Sequence, residues 1–183
     1  MKKFLLLILI IVYISCFAVF SRVQAALGKW EKPQYIKTYI QPNHPRTVMM
    51  KHAFARWSKV TNDKIIFRYV DSTQTSQLDV FFVNKIDKDF SESDKSIGLT
   101  QNKTDIKSGN IYHSTIWIAD NSQGNRVLSN DEVFTTMLHE IGHALGLNHS
   151  NTKDSIMYPQ ADVRLEISKE DLNNLRTIYG WKN

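Results

Sequence analysis

The stretch HEIGHALGLNHS, residues 139–150, places three histidines, one carboxylate and two glycines within twelve positions. His139 and His143 are four residues apart, so on a helix both imidazoles lie on one face, one turn apart. Glu140 is rotated by about 100° from His139, which places its carboxylate beside an ion that both rings bind. This spacing predicts a helix that supplies two metal ligands and a base.

The end of the same stretch supplies a third histidine. Gly146 accepts the left-handed backbone conformation that ends a helix, and this reversal returns His149 toward the ion. Three neutral nitrogen ligands suit one Zn²⁺ ion and leave a fourth position for water. A helix with merely solvated histidines does not explain why the glycine and the third histidine occupy these positions. The pattern HExxHxxGxxH therefore predicts a catalytic zinc site.

The N-terminal segment differs in composition from the rest of the 183-residue chain. Lys2 and Lys3 precede an apolar run over residues 4–20, and small residues follow at 23–25. We interpret residues 1–25 as a signal peptide, with a retained membrane anchor through residues 4–20 as the alternative. Cys16 is the only cysteine, so residues 26–183 contain none for a disulfide.

The charge of residues 26–183 is nearly balanced. Lys2, Lys3 and Arg22 lie in the N-terminal segment, which leaves twenty basic residues against eighteen acidic ones. This small surplus, without a basic stripe, excludes nucleic acid as an expected partner. We expect a monomer that contacts a membrane only through an uncleaved N-terminal segment.

Hydrophobic periodicity predicts one α+β domain over residues 26–183. An amphipathic helix over 47–60 buries Phe54 and Trp57, while Ser129 and Ser168 begin two further helices with capping boxes. The alternation and β-branched content predict about five strands, which we place at 35–40, 65–70, 78–83, near 97–99 and at 111–118.

Several motifs carry a resemblance to a known family. The histidine stretch, followed by SIMYP at 155–159, resembles the metzincin signature with its Met-turn, and Ser150 is the matrixin-type residue. Residues 29–30, 38–40, 53–57 and 178–180 are similar to matrix metalloproteinase catalytic domains, over most of residues 28–181. The resemblance implies a zincin-like fold, with a twisted mixed sheet and three helices, and a matrixin-like catalytic domain over 26–183.

The resemblance also implies a secreted or extracellular zinc endopeptidase that hydrolyses peptide bonds in proteins. By this analogy a zinc-activated water attacks the scissile carbonyl, and Glu140 is the general base. Met157 would form an apolar floor beneath the ion. The substrate would extend along the strand near 97–101. The implied metal ligands are His139, His143 and His149, and the implied pocket residues are Leu99, Pro159, Gln160 and Ala161.

The sequence departs from the family pattern in three places. Ala161 stands where matrixins usually carry an aromatic residue. His113 is the only residue suitably placed for a second, structural zinc, because Gln101 stands where another ligand is expected. We therefore expect one zinc ion and an ordinary hydrogen bond at His113. We interpret Asp120 and its neighbours as a solvated turn, with weak calcium binding as the alternative.

Two other functional hypotheses remain open from the sequence. One is a non-catalytic zinc-binding or protein-binding module on the same scaffold, which the intact Glu140 disfavours. The other is a membrane-tethered protease, if residues 4–20 are retained. Nothing separates the N-terminal segment from Lys29, so we expect no latency through a pro-segment cysteine.

Overall fold

The computed structural model describes residues 28–87, 96–159 and 162–182, so the expected signal peptide or anchor lies outside the described residues. Within these ranges, no helix has both the length and the apolar character needed to cross a membrane. A 3-10 turn at Pro33–Tyr35 precedes the second strand. The strands are β1 (Lys29–Trp30), β2 (Ile36–Ile40), β3 (Phe67–Tyr69), β4 (Leu78–Val83), β5 (Gly98–Thr104) and β6 (Asn110–Ala119), and the helices are α1 (Thr47–Val60), α2 (Asn130–Ala144) and α3 (Lys169–Tyr179).

The six strands form one mixed sheet. β4 pairs in parallel with β6 and β2, β2 pairs in parallel with β3, and β1 pairs in parallel with the start of β6. β5 alone runs antiparallel, and it pairs with β6 so that Thr100 lies opposite Ile116. Among the described strands β5 has no second partner, so its outer edge is free. The predicted α+β class and mixed sheet are confirmed.

The helix boundaries follow the local signals in the sequence. Ser129 and Glu132 form a complete capping box at the start of α2, and Ser168 and Asp171 form another at the start of α3. Gly180 ends α3 with φ 67°. The predicted helix at 47–60 is also confirmed. These ends are defined by contacts between residues three or four apart, which is why the sequence alone locates them.

The strand near 97–99 is longer than the sequence indicates. β5 continues to Thr104 through Thr100, Asn102 and Lys103, which lack the alternation of apolar and polar residues that marks a half-buried strand. The polar residues are tolerated because β5 lies at the edge of the sheet and its inner side chains face polar groups of α2. The two-residue strand β1 carries too little sequence pattern to be predicted.

The core lies between the sheet and the first two helices. Ile116 and Ile118 of β6 are fully buried on the helix side, together with Phe54 of α1 and Ile141 of α2. Two buried tryptophans also bind α2 through hydrogen bonds. The indole N–H of Trp57 donates to Leu138 O at 3.0 Å, and that of Trp30 donates to Ala144 O at 2.8 Å. These contacts fix the helix that carries the first two histidines.

α2 lies close to the segment after the third histidine at Gly142. A Cβ atom there would lie 2.3 Å from Sδ of Met157 and 3.3 Å from Cζ2 of Trp57. Both of these side chains are buried. Glycine in a helix interior costs about 0.8–1 kcal/mol relative to alanine. The close packing of Met157 explains why the helix nevertheless carries glycine at this position.

We predict that Gly142→Ala lowers the free energy of unfolding by about 1–3 kcal/mol, because overpacking outweighs the gain in helix propensity. Gly124→Ala is the matched control, since a Cβ there meets only Ser122 Oγ, at 3.9 Å. Its effect should stay within about 0.5 kcal/mol. Urea unfolding of both variants measures the difference. Equal stability of the two variants would contradict the packing argument.

Candidate active site

Three imidazoles converge at the C-terminal end of α2. The ring centroids of His139 and His143 lie 4.7 Å apart, and that of His149 lies 5.3 Å and 4.8 Å from them. One ligand atom from each ring lies within 4.8 Å of the other two. In the described ranges, no other group of three or more His, Cys, Asp or Glu side chains is arranged to hold an ion. The predicted ligand set is thus brought together.

Main-chain carbonyls orient two of these rings. His139 Nδ1 lies 2.7 Å from Ile156 O, and His143 Nδ1 lies 2.8 Å from Leu147 O. A carbonyl oxygen can only accept, so each Nδ1 carries the proton and each Nε2 carries a lone pair. The two Nε2 atoms face each other at 3.0 Å. Two acceptors at this distance fit a shared cation, and the donor set matches the preference of Zn²⁺.

Burial keeps these two imidazoles neutral. It lowers the pKa of His139 to about 4 and, assisted by the neighbouring His139, that of His143 to about 3. A histidine must be neutral to bind a metal ion through its ring nitrogen. At neutral pH both rings are already neutral, so neither has to release a proton from Nε2 before that nitrogen binds zinc. His149 is the exposed member of the triad and lies on the solvent side.

Glu140 lies next to the first ligand but is turned toward β5. Its side chain is buried, and Thr100 Oγ1 donates a hydrogen bond to Oε2 at 2.6 Å. Burial raises the pKa of Glu140 to about 7, and the hydrogen bond from Thr100 opposes this rise. A carboxyl group with a pKa near neutrality can both accept and return a proton at physiological pH. The site therefore pairs a metal-binding triad with a group suited to proton transfer.

The segment after α2 returns the third histidine to the site. Gly146 has φ 96°, and a Cβ atom there would also lie 2.0 Å from Gly28 O. Glycine is therefore required at this position by conformation and by space. Further along, Ser150 N donates to Met157 O at 2.9 Å. This bond ties the residue after His149 to the methionine that packs against Gly142.

Asp171 links α3 to the metal site, and the sequence did not reveal this role. Its buried carboxylate caps α3 by accepting from Ser168 N, and it also accepts from Ile156 N at 3.0 Å and from Ser155 Oγ. Ile156 is the residue whose carbonyl orients His139. The capping box identified Asp171 as a helix cap, but spacing along the chain gives no signal for a contact fifteen residues away.

Of the expected substrate-pocket residues, Leu99 and Pro159 lie in the described part of the chain. Pro159 is exposed two residues after Met157, and Gln160 and Ala161 lie outside the described residues. Leu99 lines a cavity of about 340 Å³ with Val83, Ile86 and Trp117. Successive strand residues point to opposite faces, so Leu99 lies on the face away from Thr100 and Glu140. Their pocket role stays a prediction.

His113 and Asp120 both have side-chain partners. His113 Nε2 lies 3.3 Å from the buried carboxylate of Asp79, within reach of the ordinary hydrogen bond that was expected. Asp120 was expected in a solvated turn, but its oxygens lie 2.9 Å from Arg46 Nη1 and 3.2 Å from His44 Nε2. His44 and Arg46 lie more than seventy residues before Asp120 in the chain, which explains why the sequence did not indicate these contacts.

The geometry agrees with comparisons to known proteins. A family model described as Matrixin matches residues 29–180. The chain belongs to the matrixin family. Its three histidines form a triad that could bind zinc, as is typical of matrixins. The resemblance inferred from the sequence motifs is therefore confirmed.

Proteins similar to this chain include proteins from plants and from a virus. The chain is 26% identical over 166 residues to Metalloendoproteinase 5-MMP of Arabidopsis thaliana, a match that covers 83% of the chain and 46% of that protein. It is 26% identical to Metalloendoproteinase 1 of Glycine max, over 84% of the chain and 53% of that protein. It is 30% identical to Probable matrix metalloproteinase 095L of Invertebrate iridescent virus 3, over 74% of the chain and 38% of that protein. The matched part of the chain thus spans about half, or less, of these matrixin relatives.

We predict that acid destabilises the metal-free matrixin domain partly through His139. Its pKa is about 4 in the folded state, against about 6.5 in an unfolded chain. Between these values the unfolded state binds more protons, so this contribution to stability is complete above pH 6.5 and is lost as the pH falls toward 4. Urea unfolding of chelator-treated protein at pH 7.5, 6 and 5 measures the loss.

Glu140, whose pKa is raised, contributes with the opposite sign, so the prediction compares variants instead of absolute slopes. His139→Gln should flatten the loss of stability between pH 6.5 and 4. His52→Gln, at an exposed position on α1, is the control and should leave the loss unchanged. Parallel pH curves for both variants would show that burial of His139 does not contribute.

Proposed function

We propose that this chain is a zinc endopeptidase that hydrolyses peptide bonds in protein substrates. The observation that carries the proposal is the pairing of three converging imidazoles with a buried carboxyl group whose pKa lies near 7. His139, His143 and His149 would hold the ion. Zinc bound there would lower the pKa of a water molecule and polarise the scissile carbonyl.

Glu140 performs the proton transfers in this proposal. Its carboxylate takes a proton from the attacking water and later delivers that proton to the leaving amine. Burial raises the pKa of the carboxyl group toward neutrality, and the hydrogen bond from Thr100 to Oε2 restrains its rotation. Because His139 and His143 are neutral, they would leave the charge of a bound Zn²⁺ uncompensated, and that charge would favour negative charge on the carbonyl oxygen.

The free edge of β5 supports a polypeptide substrate. An extended peptide can add to this edge through main-chain hydrogen bonds, which recognise any sequence. β5 passes the metal site, because Thr100 contacts Glu140 and the amide of Asn102 donates to His143 O at 2.8 Å. Met157 as the floor of the site, and Pro159, Gln160, Ala161 and Leu99 as pocket residues, belong to this proposal.

The expected location belongs to the proposal as well. The charged start, apolar run and small residues of the first 25 positions support export of a domain over residues 26–183. A retained anchor through residues 4–20 is the alternative, and it would hold the same domain at a membrane surface. N-terminal sequencing of the mature protein distinguishes these forms, since a start near Ala26 excludes the anchor. We also propose that the domain is a monomer.

We predict that Glu140→Gln retains one zinc per chain and the fold, but loses peptidase activity by at least about 100-fold, because the amide cannot accept the proton. A quenched-peptide assay and metal analysis measure the two properties. Activity of the parent should disappear with a chelator and return with zinc.

Glu166→Gln is the matched control, because Glu166 is exposed and lies outside the triad. This variant should retain the activity of the parent. If Glu140→Gln cleaves peptides as fast as the parent, Glu140 is not the base. A zinc-loaded parent chain that cleaves no peptide would instead indicate a non-catalytic zinc-binding module.

A further inference from the structure

The side chain of Thr100 is held by a single residue of α2. Its Oγ1 lies 2.6 Å from Glu140 Oε2 and 3.0 Å from the main-chain oxygen of the same residue. A hydroxyl has one proton to donate. The carboxylate oxygen lies closer than the main-chain oxygen and is the stronger acceptor, so it receives this proton. Threonine is branched at Cβ and has few side-chain rotamers. The hydroxyl is therefore a fixed donor directed at Glu140.

The neighbouring positions of β5 are shaped to the same carboxylate. At Gly98, two residues before Thr100 and on the same face, a Cβ atom would lie 2.6 Å from Glu140 Oε1 and 2.5 Å from Thr136 Cγ2. Any larger residue at this position would displace the carboxyl group. The absence of a side chain at Gly98 and the hydroxyl of Thr100 thus define one place for the two oxygens of Glu140.

The alignment of β5 with α2 continues one step further. Asn102, again on the same face, donates through Nδ2 to His143 O at 2.8 Å. β5 therefore contacts α2 at Glu140, the proposed general base, and at His143, the second histidine of the triad. The two contacting strand residues are two positions apart, as expected for side chains on one face of a strand. These two contacts fix the position of Thr100 along the axis of α2, next to Glu140.

We propose that Thr100 is a positioning residue whose hydroxyl fixes the orientation of Glu140 for proton transfer. This inference rests on the proposed endopeptidase function. Without the donor, the carboxylate rotates about its terminal bond and spends less time in the orientation that reaches the attacking water. Small errors of orientation reduce the rate of the chemical step more than they reduce binding of substrate.

The test compares two substitutions of similar size. Thr100→Val keeps the branched shape and removes the hydroxyl, while Thr100→Ser keeps the hydroxyl. We expect kcat of Thr100→Val to fall by about 10-fold or more, with KM within about twofold, and Thr100→Ser to recover most of the loss. Thr73→Val, at an exposed position in the loop between β3 and β4, is the control and should match the parent.

A spectroscopic readout separates positioning from a general structural role. In metal-free protein labelled with ¹³C at glutamate carboxyl groups, the Glu140 resonance is identified by its absence in Glu140→Gln. At one fixed pH, Thr100→Val should shift this resonance, and Thr100→Ser should leave it near its parent position. Zinc content should be the same in all Thr100 variants and the parent, and all of them should remain folded at the assay temperature.

Three results would overturn the inference: unchanged kcat in Thr100→Val, equal losses in the valine and serine variants, or an effect confined to KM. An unshifted Glu140 resonance in Thr100→Val would do the same. In each case an active parent and an inactive Glu140→Gln would leave the proposed function intact. An inactive zinc-loaded parent, or an active Glu140→Gln, would instead refute the proposed function itself.

Discussion

Two main-chain carbonyls, those of Ile156 and Leu147, decide which nitrogen of each helical histidine faces the metal site. A ring that donates its Nδ1 proton to a carbonyl presents a lone pair at Nε2, and the two Nε2 atoms meet at 3.0 Å. Both carbonyls belong to the segment that follows α2. The path of that segment is therefore as important for the site as the helix itself.

Glycine makes this path sterically feasible. Gly146 reverses the chain against Gly28, and Gly142 leaves the space that Met157 fills. Both positions lie within the histidine stretch. The same twelve residues therefore supply the histidine ligands and, at their two glycines, leave space where a side chain would clash. Met157, which packs against Gly142, is the neighbour of Ile156, whose carbonyl lies 2.7 Å from His139 Nδ1.

Local sequence signals predicted the helices and the metal ligands, because the relevant contacts are between neighbours in the chain. The spacing of His139 and His143, the capping boxes and the glycine after α2 all act over three or four residues. The partners of Glu140 and Asp120 could not be predicted in this way. Thr100 is forty residues from Glu140, and Arg46 is more than seventy residues from Asp120. Such pairs form only when the sheet and its connections are complete, and the polar sequence of β5 does not mark its role.

The buried carboxylate of Asp171 joins the first turn of α3 to Ser155 and Ile156. During synthesis all three histidines of the triad leave the ribosome before Ile156 and Asp171, the residues that orient His139. Native orientation of His139 therefore depends on residues that are synthesised after the triad itself, including the first turn of α3.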